Sequence, residues 1–177
     1  PGEHNLQNFL AASTCSHLMG ISQNQIVKSM KEFKGVEHRL EYVRTINEAD
    51  YINDSKATNI DSVIVAINTY KQPIVLILGG FNKGANFRLL LPHIKSSHVR
   101  DIVSYGDAGG QINTALGDAV RSVQVTDLSS AVKKAQLMAA PGDIVLLSPG
   151  CASYDEFSNF EERGNHFKSI IKNLAAS

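Results

Sequence analysis

Tryptophan is absent from the 177 residues, and aromatic side chains make up only 7% of them. Lys plus Arg and Asp plus Glu number 17 each, so the formal net charge is zero, and no run of basic residues occurs. Such a chain lacks the basic, aromatic-bearing surface that nucleic acid requires and the polybasic patch that an anionic membrane attracts. Neither partner is expected. Apolar runs such as Ile74–Leu78 are far too short to span a bilayer. The two cysteines, Cys15 and Cys151, make no C-x-x-C pair, and no charged start followed by an apolar stretch marks a secretion signal. A reduced, cytoplasmic setting is expected. The opening Pro1-Gly2 falls in mid-pattern without an initiator Met, as expected of a piece of a longer protein.

What is present describes a globular α/β chain. Hydrophobic residues are 43% and charged residues 19%, which argues against disorder. The length suggests one core plus an appendage. Leu6, Phe9, Leu10 and Leu18 have helical spacing, and Gly20 supplies a stop. Ser22 with Gln25 reads as a capping box for a second helix carrying Ile26, Val27, Met30 and Phe33. This helical hairpin (residues 1–34) has no strand and is expected to belong to a neighbouring domain. From residue 35 to 177 strands alternate with helices.

Strands are predicted at Leu40–Ile46, Ala49–Ile52, Ile74–Leu78, Ile102–Tyr105, Val123–Val125 and Ile144–Leu147. The intervening helices are Thr58–Tyr70, Asn86–Ile94, Gly110–Leu116 and Leu128–Ala139, with a last one from about Asp155 to Leu174. Continuously apolar strands such as Ile-Val-Leu-Ile-Leu suit a parallel sheet covered on both faces. The expected fold is Rossmann-like and doubly wound, with a mostly parallel sheet of about six strands.

In such a sheet ligands bind beyond the carboxyl ends of the strands, where helix N-termini expose free N–H groups. The strand-to-helix junction Asp54-Ser55-Lys56-Ala57-Thr58-Asn59 concentrates a carboxylate, an ammonium and two hydroxyls there. Thr58-x-x-Asp61 also reads as a capping box, which would make Thr58 an N-cap; Asp54 and Lys56 are not needed for capping. Gly79-Gly80-Phe81-Asn82-Lys83-Gly84 is neither G-x-G-x-x-G nor G-x-x-x-x-G-K-[ST]. Its glycines permit close approach of backbone to a ligand and Lys83 can reach an anion, or it is a plain turn with a solvated lysine. Gly106-Asp107 reads as a structural turn.

Ser153 with Glu156 fits a capping box, but equally a serine hydroxyl beside free N–H groups suits a carboxylate. No motif pairs Cys151 with a histidine, which argues against a cysteine nucleophile. Phe160 lies in the apolar series Phe157, Phe160, Gly164, Phe167, Ile171, where core packing is the default. Arg39, just before the first strand, is either a phosphate ligand or a surface arginine, and Asn5 and Asn8 share one face of a helix start.

Taken together these segments resemble the Mur ligases, ATP-dependent amide-forming enzymes of bacterial peptidoglycan precursor synthesis. Gly2-Glu3-His4-Asn5-Leu6-Gln7-Asn8 is similar to the G-x-H-N-x-x-N segment closing the family's central ATP-binding domain, and His38-Arg39-Leu40-Glu41 to the H-R-x-E opening its C-terminal domain. Asn53–Asn59, Ser148–Phe157 and Phe160-Glu161-x-Arg163-Gly164 resemble the D-glutamate-adding branch. The resemblance implies that residues 1–34 close the central domain and that residues 35–177 are the amino-acid-binding domain.

It further implies a ligase that activates UDP-N-acetylmuramoyl-L-alanine as an acyl phosphate, using ATP and Mg2+, for attack by D-glutamate. Asn5, Asn8, Arg39, Asp54 and Lys56 would serve the nucleotide, and Thr58, Lys83, Ser153 and Phe160 D-glutamate. Magnesium ligands would lie mainly in the rest of the central domain, and this piece alone would be inactive. One departure is the stretch before Lys83, where Phe81-Asn82 stands in place of an acidic residue usual in the family. A ligase for another amino acid and a non-catalytic nucleotide-binding module of Rossmann type remain as alternatives. An NAD-dependent oxidoreductase is disfavoured, because no G-x-G-x-x-G follows a strand.

Overall fold

Six strands form one sheet in the order β1-β2-β6-β3-β4-β5, as seen in a computed structural model that describes residues 3–33 and 35–174, with side chains from residue 6. The strands are β1 (Glu41–Ile46), β2 (Ala49–Asn53), β3 (Ile74–Gly79), β4 (Val99–Tyr105), β5 (Arg121–Gln124) and β6 (Ile144–Gly150). β1 pairs antiparallel with β2, and every other pairing is parallel. The Asn47-Glu48 hairpin turn has positive φ at both residues (50° and 61°), the geometry that matches strand twist in a two-residue turn. The expected doubly wound, mostly parallel sheet is present.

Two compact units divide the chain, Pro1–Gly35 and Val36–Ser177. The first contains α1 (Glu3–Leu18) and α2 (Gln23–Glu32). Ser22 caps α2 in the capping box predicted from the sequence, and Phe9 meets Phe33 edge to face at 5.5 Å. Yet Leu6, Leu10, Leu18, Met19, Val27 and Met30 are all exposed. Helical spacing located these helices but buried little of their apolar surface.

The second unit holds α3 (Ile60–Thr69), a 3-10 turn (Phe87–Leu90), α4 (Leu91–Ser96), α5 (Gly109–Leu116), α6 (Leu128–Met138) and α7 (Phe160–Asn173). Side chains alternate across each strand. Ile52, Leu76, Leu78, Ile102 and Leu146 therefore face α3, α4 and α5, while Val75, Ile77, Val103, Val145 and Leu147 face α6 and α7. Each such side chain contributes about 1.5–3 kcal/mol through burial, and this two-sided core fixes the register of every strand end.

Several expected boundaries shift. The helix predicted over 86–94 is a 3-10 turn followed by α4, with Pro92 in the first turn of α4 where its missing N–H is harmless. β4 begins earlier, at Val99, and β1 begins at Glu41 because Leu40 has φ +47°. The last helix starts at Phe160, not near Asp155. Asn159 is its N-cap, accepting from the Glu162 N–H.

Candidate functional site

The parallel strands β2, β6 and β3 are neighbours, so the loops leaving their carboxyl ends emerge along one edge of the sheet. The strand ends and loops there carry Asp54–Thr58, Ser148–Ser153 and Lys83. An isolated antiparallel bridge, Phe81 N–H to Ala152 O at 2.9 Å and Ala152 N–H to Phe81 O at 3.1 Å, ties the second loop to the third. Gly80 makes this possible: its φ is +121°, and a Cβ there would lie 2.3 Å from the Ala152 carbonyl oxygen.

Asp54 lies inside the edge rather than on it. It is 5% exposed; its Oδ1 accepts from the Leu40 N–H (3.2 Å) and its Oδ2 from the Ser148 hydroxyl (2.8 Å). Burial pushes its pKa up to about 6, against the opposing pull of Ser148, Leu40 and the Arg39 charge. Beside it Asn53 donates to Glu41 Oε2 and to His38 Nδ1, each at 3.0 Å. Burial also lowers the His38 pKa, which suits a neutral ring accepting through Nδ1. The His38 carbonyl accepts from the Lys56 N–H at 3.0 Å, which fixes the backbone of the central junction.

The tie beneath the edge is Arg163 of α7, which is fully buried. Its Nε donates to the Ser55 hydroxyl (2.9 Å), Nη2 to the Ser55 carbonyl (2.8 Å), and Nη1 to the carbonyls of Cys151 and Ala152 (3.1 Å each). The Ser55 hydroxyl in turn donates to the Phe160 carbonyl at 2.7 Å. One guanidinium thus joins the β2 loop, the β6 loop and α7, with backbone carbonyls facing its charge. Cys151 is buried in the same place, and desolvation raises its thiol to about 12, so it is no nucleophile.

Two ammonium groups stand above this frame. Lys56 Nζ sits 4.7 Å from the centroid of the Phe160 ring, and Lys83 Nζ sits 4.8 Å from that of Tyr154. Asn82 shapes the Lys83 loop: its Oδ1 accepts from the N–H groups of Gly84 (2.9 Å) and Ala85 (2.7 Å), and its Nδ2 donates to Gln111 at 2.7 Å. The residue pair standing in place of an acid is therefore a turn-builder and a bridge partner.

Both alternative capping roles fail. The N-cap of α3 is Asn59, whose side chain accepts from the Ser62 N–H, so Thr58 is no cap; it is exposed at the head of the helix. Ser153 and Glu156 form no capping box either. The Ser153 carbonyl closes a turn onto Glu156 and Phe157, while the Glu156 carboxylate accepts from the Leu128 N–H at the start of α6. Ser153 is buried at the sheet edge, Arg39 is exposed beside Leu40, and Phe160 is half-buried with its ring between Lys56 and His38. Asn8 is exposed in the first unit, and the Asn5 side chain lies outside the described residues.

Glu37, His38 and Glu41 bring three potential metal-ligating atoms within 4.8 Å of one another. The Lys168 ammonium already bonds Glu37 and lies 3.3 Å from Glu41. A cation of the protein itself fills that place. Both oxygens of Asp54 are likewise engaged, so neither group offers an open magnesium shell, whereas exposed Arg39 and Lys56 suit phosphate oxygens. Sequence reasoning placed Ser55, Ser148, Tyr154 and Arg163 within the edge motifs but gave none of them an individual role. The signal for Arg163 was an arginine set within the apolar series of α7.

Residues 38–151 match the family described as Mur ligase, glutamate ligase domain. The chain belongs to the Mur ligase family. Among relatives of this Mur ligase chain, the UDP-N-acetylmuramoylalanine–D-glutamate ligases of Pelotomaculum thermopropionicum, Staphylococcus saprophyticus and Bacillus mycoides are 46%, 45% and 44% identical to it, each over 98% of the chain. The chain spans 38–39% of the length of these relatives. Solved structures share the fold at 17% identity. They include UDP-N-acetylmuramate-alanine ligase MurC from Thermotoga maritima (TM-score 0.70, 97% of this chain and 38% of that one) and MurF from Acinetobacter baumannii (TM-score 0.67, 98% and 38%).

Proposed function

We propose that this Mur ligase chain is the amino-acid-binding part of an ATP-dependent ligase that adds D-glutamate to UDP-N-acetylmuramoyl-L-alanine. The observation that carries the reading is the 44–46% identity to D-glutamate ligases over 98% of the chain, joined to an edge where the Lys83 ammonium and the Thr58 and Ser153 hydroxyls suit a dicarboxylate. Lys83 and Ser153 flank the bridge between the β3 and β6 loops, and Thr58 heads α3, so these groups would take the carboxylates of D-glutamate. Phe160 would bound the site with its ring and carry its carbonyl to Ser55.

Arg39 and Lys56 would meet ATP phosphate oxygens, while buried Asp54 holds the Lys56 loop by gripping Leu40 and Ser148. Asn5 and Asn8 would serve the adenosine end. Magnesium, when bound, neutralises phosphoryl charge, and its ligands would come from the remainder of the longer protein. Residues 1–34 would close the central ATP-binding domain, and the apolar surface left exposed on α1 and α2 supports their being covered by the rest of it. Catalysis would then require domain closure, so the 177-residue piece would be inactive alone, in the cytoplasm where the nucleotide substrates lie.

The test is amino-acid-dependent phosphate release by the full-length enzyme with ATP, magnesium and UDP-N-acetylmuramoyl-L-alanine. Release with D-glutamate but not L-glutamate, D-alanine, L-lysine or diaminopimelate is expected. Release with another amino acid overturns the substrate assignment, and release with none overturns the ligase reading.

A further inference from the structure

We propose that Tyr154 is the positioning residue for Lys83, holding its ammonium at the sheet edge ready for the amino-acid carboxylate. The inference deepens the functional reading above and rests on it for the identity of the ligand. Lys83 Nζ lies 4.8 Å from the Tyr154 ring centroid, within the range at which a ring quadrupole attracts a cation. The Phe81–Ala152 bridge brings the two loops together two residues before each partner. Tyr154 is 60% exposed, so burial does not explain an aromatic residue at this place.

The backbone under Lys83 is set separately, by Asn82 through Gly84, Ala85 and Gln111. What remains free is a four-carbon stem, and the ring restricts it. An aromatic face does this without an acid, whose charge would compete with the incoming carboxylate for the same ammonium. Lys56 on the Phe160 ring repeats the arrangement across the edge. Two aromatic rests thus hold two ammonium groups that pair with no carboxylate among the described residues.

The experiment compares Tyr154→Leu and Tyr154→Phe in the full-length enzyme. Tyr154→Leu is expected to raise KM for D-glutamate roughly two- to five-fold, the worth of an exposed cation–π contact, with kcat and KM for ATP unchanged. Tyr154→Phe keeps the wild-type KM because its ring retains the quadrupole. In parallel, 13C-dimethyl-lysine signals are recorded, with Lys83 assigned by Lys83→Arg. Its signal is shifted by the ring current in the wild type and Tyr154→Phe, and unshifted in Tyr154→Leu. An unshifted wild-type signal, or a Tyr154→Leu enzyme with unchanged KM for D-glutamate, overturns the proposal. If D-glutamate is not a substrate, phosphate release with the wild type reveals that failure separately, and the lysine signal alone decides whether the pairing exists.

Discussion

Arg163 and Ser55 are joined twice, through Nε to the hydroxyl at 2.9 Å and through Nη2 to the carbonyl at 2.8 Å. The same guanidinium closes on Cys151 and Ala152, so the loops that carry Lys56 and Ser153 share one anchor. Arg163→Lys places a charge in the same buried site without the planar fork that satisfies it. Each buried acceptor left unpaired costs about 1–3 kcal/mol, so a total loss on the order of 3–5 kcal/mol is expected. Urea unfolding with an unchanged slope measures it, and a loss under about 1 kcal/mol refutes the anchor.

Asp54 gives stability a pH dependence of defined sign. Its folded pKa is about 6 against an ordinary 3.8, so between those values the folded state binds the extra proton. The associated stability is complete below about pH 4, declines as pH rises to about 6 and is flat above that. The full difference is about 3 kcal/mol at most. Asp54→Asn is expected to remove that decline and to be the more stable protein at pH 7.5, while ligase activity falls. Denaturant midpoints between pH 4 and 7.5 test this, and parallel profiles for the two proteins would sink it.

Gly164 sits in α7, where exchanging glycine for alanine ordinarily helps a helix by about 1 kcal/mol. Here a Cβ would lie 2.2 Å from His38 Nδ1, and that buried ring is held by Asn53. Gly164→Ala is therefore expected to destabilise by about 1–3 kcal/mol or more. Faster hydrogen exchange at the Lys56 N–H, whose acceptor is the His38 carbonyl, should accompany it. A stabilised variant would mean that His38 moves aside freely.

The two lysines should separate kinetically. A charge-assisted hydrogen bond is worth about 1.5–3 kcal/mol, so Lys83→Met is expected to raise KM for D-glutamate roughly 10- to 100-fold and leave KM for ATP alone. Lys56→Met should do the reverse. Steady-state kinetics with each substrate varied decide it, and equal effects on both substrates would erase the division of roles.

The sheet was legible because its strands are short apolar runs punctuated by glycine and polar turns, with helices between them. Burial on both faces allows few other readings of Ile74–Leu78 or Ile144–Leu147. The loops of interest were legible for the same reason, since Asp54–Thr58, Gly79–Lys83 and Ser148–Ser153 all follow strands. Helix starts were less so. Thr58 and Ser153 each met the capping pattern, yet Asn59 and Asn159 took the caps. A capping motif states only local compatibility, and the helix axis, set by packing on the sheet, decides which residue stands at the end.

The sequence by itself determined the alternation of strands and helices, the sheet's apolar centre and the polar character of its carboxyl-terminal edge. These follow from side-chain periodicity and backbone preference, which act over a few residues. Tertiary structure alone decided that Asp54 is buried against Ser148, that Arg163 ties Ser55 to Cys151 and Ala152, and that Lys83 rests on Tyr154. Those pairs come from distant parts of the chain brought together when β6 inserts between β2 and β3. No local pattern encodes them, because their energy exists only once the strands are side by side.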